Sequence, residues 1–134
     1  GIGLISSTFN IKKRPTNYCT IKHMFPGGFI PSLAETLILM EQYGLDVRAI
    51  ENRSYHYHRT VEHWLKNFET RWERIQAIDP VRFNEEFRRA WLFYLAGAAE
   101  TFEAAGEIIN CYHITFVKGH FPGKRLSTPI DRVR

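Results

Sequence analysis

The chain has 134 residues, 44% hydrophobic, 24% charged and 14% aromatic, with a net charge of +4. That length fits one domain and that balance is ordinary for a globular chain, which excludes disordered and fibrous classes. The mild basicity is compatible with an anionic lipid surface. No Arg-Gly-Gly run, nucleic-acid motif or long Lys/Arg block accompanies it, so no nucleic-acid partner is expected.

Gly3-Leu4-Ile5-Ser6-Ser7-Thr8-Phe9 reads as a short strand, closed by the basic loop Lys12-Lys13-Arg14-Pro15. Lys12, Lys13 and Arg14 read as an exposed loop, with anionic phospholipid head groups as the sharper alternative. Phe25-Pro26-Gly27-Gly28 is a reversal, because proline fixes one backbone angle and two glycines free the next. Ser32 and Glu35 form a capping-box pattern that opens a helix running to about Tyr43. Leu33, Leu37 and Met40 form its inner face, and Gly44 is its stop. Residues 45–51 alternate apolar and charged, as a half-exposed strand does.

The most crowded stretch is Ser54-Tyr55-His56-Tyr57-His58-Arg59-Thr60-Val61-Glu62-His63-Trp64. It reads as a strand-to-helix junction, with His56 and His58 on one strand face and Tyr57 on the other. From Thr60 the period changes. Val61, Trp64, Leu65, Phe68, Trp72 and Ile75 mark one amphipathic helix. Asp79-Pro80 then caps and opens a second long helix through Phe102, stopped by Gly106. Within it, Ala96-Gly97-Ala98-Ala99 is a small-residue run that lets another element, or a ligand chain, come close. Residues 108–117 are β-branched and aromatic, a buried strand. His23, His113 and His120 read as structural or exposed. The default role for Trp64, Phe68, Trp72, Phe87, Trp91 and Tyr94 is a helical-hairpin core, and the sharper one is the wall of a pocket for an apolar ligand.

Cys19 and Cys111 stand outside any CxxC spacing, so no metal or redox motif is present, and both read as reduced buried thiols. No run approaches the roughly 20 apolar residues of a membrane span. No signal-peptide pattern is visible, and a cytoplasmic location is expected, with peripheral contact at the inner face of the membrane as its extension. The chain opens on Gly1 inside an apolar stretch and is expected to be a piece of something longer. The order strand, helix, strand, helix, helix, strand suggests an α/β sheet with a helical hairpin between two antiparallel strands.

Three segments, in order, carry a family resemblance. The first is Phe25-Pro26-Gly27-Gly28 followed by Ile30-Pro31-Ser32. The second is His56-Tyr57-His58-Arg59-Thr60-Val61 with Trp64. The third is Arg82-Phe83 and later Tyr94-Leu95-Ala96-Gly97. Together they resemble the C-terminal part of cyclopropane-fatty-acyl-phospholipid synthases and mycolic acid cyclopropane synthases. The resemblance implies the C-terminal half of a Rossmann-like S-adenosylmethionine-dependent methyltransferase fold. Residues 1–118 would be that partial domain and 119–134 a tail.

The first strand would be the last parallel strand of a full sheet, and residues 46–53 and 107–117 its terminal antiparallel pair. The implied reaction transfers a methyl(ene) group to the cis double bond of an unsaturated phospholipid acyl chain, with a bound bicarbonate removing a proton. Tyr57 matches the tyrosine that contacts this bicarbonate, with His56 beside it. Ser6 falls where the family carries a histidine, and Ala98 where some members carry a cysteine. Phe25, Gly27, Gly28, Trp64, Trp91 and Tyr94 would line the acyl pocket. The family's Gly-x-Gly cofactor loop has no counterpart, so no cofactor-binding residue is expected in this chain and S-adenosylmethionine is not expected to bind it alone. Two competing readings remain: a non-catalytic lipid- or partner-binding module that has lost the cofactor half, and a small α/β protein whose aromatic helices form an interface.

Overall fold

A computed structural model describes residues 1–18, 20–103 and 108–119. Strands β1 (Ile2–Asn10), β2 (Leu45–Asn52) and β3 (Ile109–Lys118) form one sheet in the order β1-β3-β2. β3 is antiparallel to both neighbours, so β1 and β2 run parallel to each other. The β1–β3 register is continuous from Ile2↔Val117 to Asn10↔Ile109, whereas β2 carries an irregularity between Val47 and Ala49. The expected antiparallel pairing of the last two strands is therefore present, with the helical hairpin inserted between them.

Helix α1 (Leu33–Gln42) covers one face of the sheet. Met40 packs with Phe9 and Ile114, and Leu33, Leu37, Tyr112 and Phe116 close around them. The Ser32 hydroxyl accepts from the Glu35 N–H at 3.2 Å and donates to the Glu35 carboxylate at 2.9 Å. Gly44 ends the helix at φ 69°, a left-handed conformation that favours glycine. Ser32→Ala is expected to cost about 1 kcal/mol. It should read as a lower urea midpoint with an unchanged slope, and an unchanged midpoint would mean that Glu35 holds the helix start without the cap.

The opposite face carries helices α2 (Ser54–Thr70) and α4 (Glu85–Glu103), with the short α3 (Trp72–Gln76) between them. Val61, Leu95, Ala99 and Phe102 form their shared core and rest on Cys111 of β3. Residues two apart on a strand share a face, so even-numbered β3 residues lie on the α1 side and odd-numbered ones on the other, where Ile109 and Cys111 meet the hairpin.

Three expected boundaries are corrected. The stretch 54–59 is helix rather than strand, so α2 begins at Ser54 and not at Thr60. The single helix expected to reach Ile75 breaks at Arg71, whose φ of −110° and ψ of 11° leave the helical region. There the Thr70 hydroxyl donates to the Lys66 carbonyl at 2.9 Å, a local bond that competes with continued helix. Asp79 caps only a turn, its carboxylate accepting from the N–H groups of Val81 and Arg82. Asn84 caps α4, accepting from the Phe87 N–H at 3.0 Å. Cys19, Gly106, His120 and the tail beyond residue 119 lie outside the described residues.

Candidate functional site

The site is set by how α2 leaves the sheet. The Arg53 N–H donates to the Cys111 carbonyl at 2.8 Å, the last backbone bond before the chain turns. Ser54, buried, then accepts from the Cys111 N–H at 3.1 Å and donates to the Asn110 side-chain oxygen at 3.0 Å. Asn110 in turn donates to the Tyr112 hydroxyl at 3.0 Å. This network pins the first turn of α2 to β3. One turn later Tyr57 points into the hairpin, since residues three apart share a helix face.

Tyr57 lies in an aromatic enclosure. Its ring meets Phe102 edge-on at 4.7 Å between centroids and Trp64 at 5.8 Å. A second group continues the wall, with Tyr94 against Trp91 at 5.7 Å and against Phe25 at 5.6 Å. Phe25 reaches α4 because its loop is fixed at both ends. At the base, the Asn10 side chain donates to the Ile30 carbonyl at 2.7 Å, and the Thr16 hydroxyl accepts from the Ile30 N–H at 2.9 Å. At the tip, the Gly28 N–H donates to the Phe25 carbonyl at 2.9 Å, with Gly27 at φ 76°. Pro26 and Gly27 thus occupy the central positions of a type II turn, the second of which requires positive φ. Such edge-on aromatic pairs contribute about 0.5–1.5 kcal/mol each beyond burial.

Burial pushes the Tyr57 phenol up from its ordinary value, and the neighbouring Cys111 thiol and Tyr94 phenol add to it. Burial alone raises Tyr94 and Cys111. Tyr57 therefore keeps its proton at neutral pH and is a hydrogen-bond donor. Its hydroxyl has no protein partner among the described residues. The folded chain holds these protons more tightly than the unfolded chain does. For the two phenols the associated stability is thus full below their ordinary value of about 10 and is lost as pH rises through the raised folded values. The urea midpoint is expected to hold through neutral pH and fall in alkali. The fall should be shallower in the Tyr57→Phe, Tyr94→Phe double variant; an equal slope would place the alkaline loss elsewhere.

The structure brings together Tyr57, Trp64, Phe102 and Ala98 in the hairpin and Phe25, Trp91 and Tyr94 at its loop end. It does not bring in His56, which is exposed and stacked edge-on against Tyr55. His56 and His58 do not share a strand face either. His58 is buried, its Nδ1 3.0 Å from the Ala99 carbonyl, and it joins α2 to α4 where Ala99 lets the helices approach. Gly97 faces open space, so the small-residue run is used at Ala98 and Ala99 only. Ser6 is exposed on β1. Sequence reasoning missed three residues here: Phe102 as the ring beside Tyr57, Ser54 as the anchor, and Cys111 as the thiol beneath it. The spacing 95, 99, 102 on one α4 face was the available signal for Phe102; the other two depend on tertiary contact.

A small weak base fits at Tyr57, whose protonated, half-buried phenol has no protein acceptor among the described residues. The paired glycines at 27 and 28 form the turn that carries Phe25. Among the described residues no cluster of His, Cys, Asp or Glu could hold a metal ion, and no helix is long and apolar enough to cross a membrane.

Residues 3–114 match the family model described as mycolic acid cyclopropane synthetase. A Pseudomonas putida protein named as a fatty acid methyltransferase is 33% identical over 102 residues, 76% of this chain and 24% of that protein. Sphingolipid C9-methyltransferase A of Emericella nidulans is 28% identical, over 72% of this chain and 18% of its own length. Among solved structures, a cyclopropane synthase of Mycobacterium tuberculosis superposes with a TM-score of 0.74 at 20% identity, covering 88% of this chain and 44% of that one. A mycolic acid cyclopropane synthase in complex with SAH and CTAB gives 0.72 at 21% identity, covering 87% and 44%. The structural matches carry the fold, that of part of a methyltransferase, and the chain spans less than half the length of these relatives. On the family match, the chain belongs to the mycolic acid cyclopropane synthetase family.

Proposed function

We propose that the protein carrying this chain transfers a methyl(ene) group from S-adenosylmethionine to the cis double bond of a phospholipid acyl chain, and that these residues form the acyl-facing wall of its site. The observation that carries this reading is the Tyr57 hydroxyl, protonated and unpartnered inside an aromatic enclosure, in a chain of this family. When bound, S-adenosylmethionine supplies an electrophilic methyl group and bicarbonate a weak base. The chain's own residues do the rest. The half-buried rings of Trp91 and Tyr94, with Phe25 and Trp64 at the exposed rim, offer π faces to positive charge developing on the alkene carbon. The Tyr57 hydroxyl donates a hydrogen bond that holds the base without neutralising it. Ala98 packs, partly buried, against the same hairpin core as Tyr57.

The reading extends to location: the acyl substrate sits in a bilayer, so the protein works at a membrane surface, with the exposed cations Lys12, Lys13 and Arg14 available to it, Lys13 being paired with Glu35 at 2.6 Å. The test is incubation of the whole protein with S-adenosylmethionine and vesicles of unsaturated phospholipid, followed by mass spectrometry of the acyl chains. A gain of one methylene per chain is expected. Acyl binding without any gain would favour a non-catalytic lipid-binding module. Calorimetry with the 134 residues alone is expected to show no S-adenosylmethionine binding, and saturable heat would overturn the assignment of that site to another part of the protein.

A further inference from the structure

The net charge of +4 is not spread evenly over the chain. Residues 11–29 hold Lys12, Lys13, Arg14 and Lys22 and no aspartate or glutamate, and the charges of the rest balance. Glu35 pairs with Lys13 at 2.6 Å. Among the described residues Arg14 donates to the Asn10 side-chain oxygen at 3.1 Å, a neutral partner, and Lys12 has no hydrogen bond or ion pair. Lys22 lies over the Tyr18 ring at 5.5 Å. Lys12, Arg14 and Lys22 therefore carry charge that no carboxylate among the described residues pairs with.

The same stretch exposes two large rings, Phe29 at 78% and Tyr18 at 72%. Its two ends are tied together. The buried Asn10 donates from its backbone to the Pro31 carbonyl at 2.8 Å and from its side chain to the Ile30 carbonyl at 2.7 Å, while accepting from Arg14. The Ile30 N–H donates to the Thr16 hydroxyl at 2.9 Å. Arg14 and Phe29 are thus held on neighbouring runs of chain. The Pro26–Gly27 turn sends Phe25 against Trp91 and Tyr94, at 6.2 and 5.6 Å, and leaves Phe29 in solvent. One loop gives one ring to the aromatic enclosure and another to water. Exposed rings beside unpaired cations match the interface of an anionic bilayer, where burial of apolar surface and attraction to phosphate add.

We infer that residues 11–29 form the surface that docks on an anionic phospholipid bilayer. Phe29 and Tyr18 enter the interface, and Lys12, Arg14 and Lys22 meet the head-group phosphates. The exposed rim of the enclosure at Phe25 is thereby held against the lipid. The choice of a bilayer over another polyanion rests on the proposed methyl-transfer reading. Beyond that reading, the inference fixes which side of the molecule faces the membrane and which lipids it prefers. The hairpin tip also exposes Ile78 and Val81. There Asp79 stands between them and the surrounding charges nearly cancel, so that tip lacks the electrostatic complement.

The test is co-sedimentation of the whole protein with unsaturated phosphatidylcholine vesicles, with and without phosphatidylglycerol and without S-adenosylmethionine. Binding is expected to need phosphatidylglycerol and to weaken as salt rises. The double variant Lys12→Gln, Lys22→Gln should bind about thirtyfold more weakly, and Phe29→Ser about tenfold. Val81→Ser removes an equally exposed apolar side chain at the hairpin tip and should bind as the parent does. In the unsubstituted protein, anionic vesicles should slow amide hydrogen exchange within residues 11–29 and leave residues 77–82 unchanged, a readout that needs no variant to fold.

Equal binding to neutral and anionic vesicles, or protection at residues 77–82 in place of 11–29, overturns the inference. So does no binding of the unsubstituted protein to anionic vesicles, the result expected where another part of the protein or an acidic partner covers this surface. Methylation of detergent-dispersed phospholipid by the same preparation leaves the methyl-transfer reading standing in each of these cases. Docking as expected, with no methylated product from vesicles or detergent, overturns that reading and supports the surface as one for anionic lipid.

Discussion

Tyr57→Phe is expected to lower methyl transfer by the whole protein about 10²-fold, the usual effect of removing one donor aimed at a reacting oxyanion. The unfolding midpoint should stay close to that of the parent. The two expectations come from different parts of one side chain. The ring is held by Phe102 and Trp64, and phenylalanine keeps those contacts. The hydroxyl has no protein partner among the described residues, so its loss leaves no protein group unsatisfied. A loss of activity under about threefold would remove Tyr57 from the chemistry. A large fall in midpoint would make it a core residue instead. The corresponding change at Tyr94, whose phenol is also raised by burial, should affect activity much less, because the reading gives its hydroxyl no part in holding the base.

What the sequence made legible was governed by local rules. Ser32 with Glu35, Gly44, and the Pro26–Gly27 turn each depend on residues within four positions of one another. The strands at β2 and β3 were legible for the same reason, through alternation in one and β-branched content in the other. The grouping of Phe25 with Trp91 and Tyr94 came through the resemblance and agrees with ring contacts that span the chain.

The start of α2 was not legible. Tyr55 and Tyr57 alternate with histidines, a pattern that favours strand, and Arg53 provides no side-chain cap. The turn into helix is made by the Asn52 side chain, which accepts from the Ser54 N–H at 2.9 Å, together with Ser54 bonding to Cys111 and Asn110, more than fifty residues away. That single boundary moved His56 and His58 off a shared strand face, exposing one and burying the other. The sequence places the cap of α4 at Asp79 for a different reason. Asp79 does accept the bonds of a cap, from Val81 and Arg82, but the chain turns once more and the long helix opens at Asn84.

Phe102 joins the stability of the hairpin to the placement of Tyr57. It is 6% exposed, it lies in the cluster of Val61, Leu95 and Ala99, and its ring is the one nearest Tyr57. Phe102→Ala is expected to cost about 3–5 kcal/mol, combining lost transfer free energy with the cavity left between α2 and α4. Against a typical domain stability of about 5–15 kcal/mol, that is enough to leave a substantial unfolded fraction at physiological temperature. Urea denaturation read at two probes, helix content and tryptophan fluorescence, measures it.

A cost below about 1 kcal/mol would mean that the hairpin closes over the gap and that the α2–α4 contact is softer than its burial implies. Phe102→Leu separates the two roles. Leucine fills most of the space and should cost far less stability, but it offers no ring edge to Tyr57. Methyl transfer should therefore fall by more than stability predicts. If activity simply follows the folded fraction across both variants, the aromatic contact does not position the tyrosine, and Ser54, which ties the first turn of α2 to β3, is left as the residue that does.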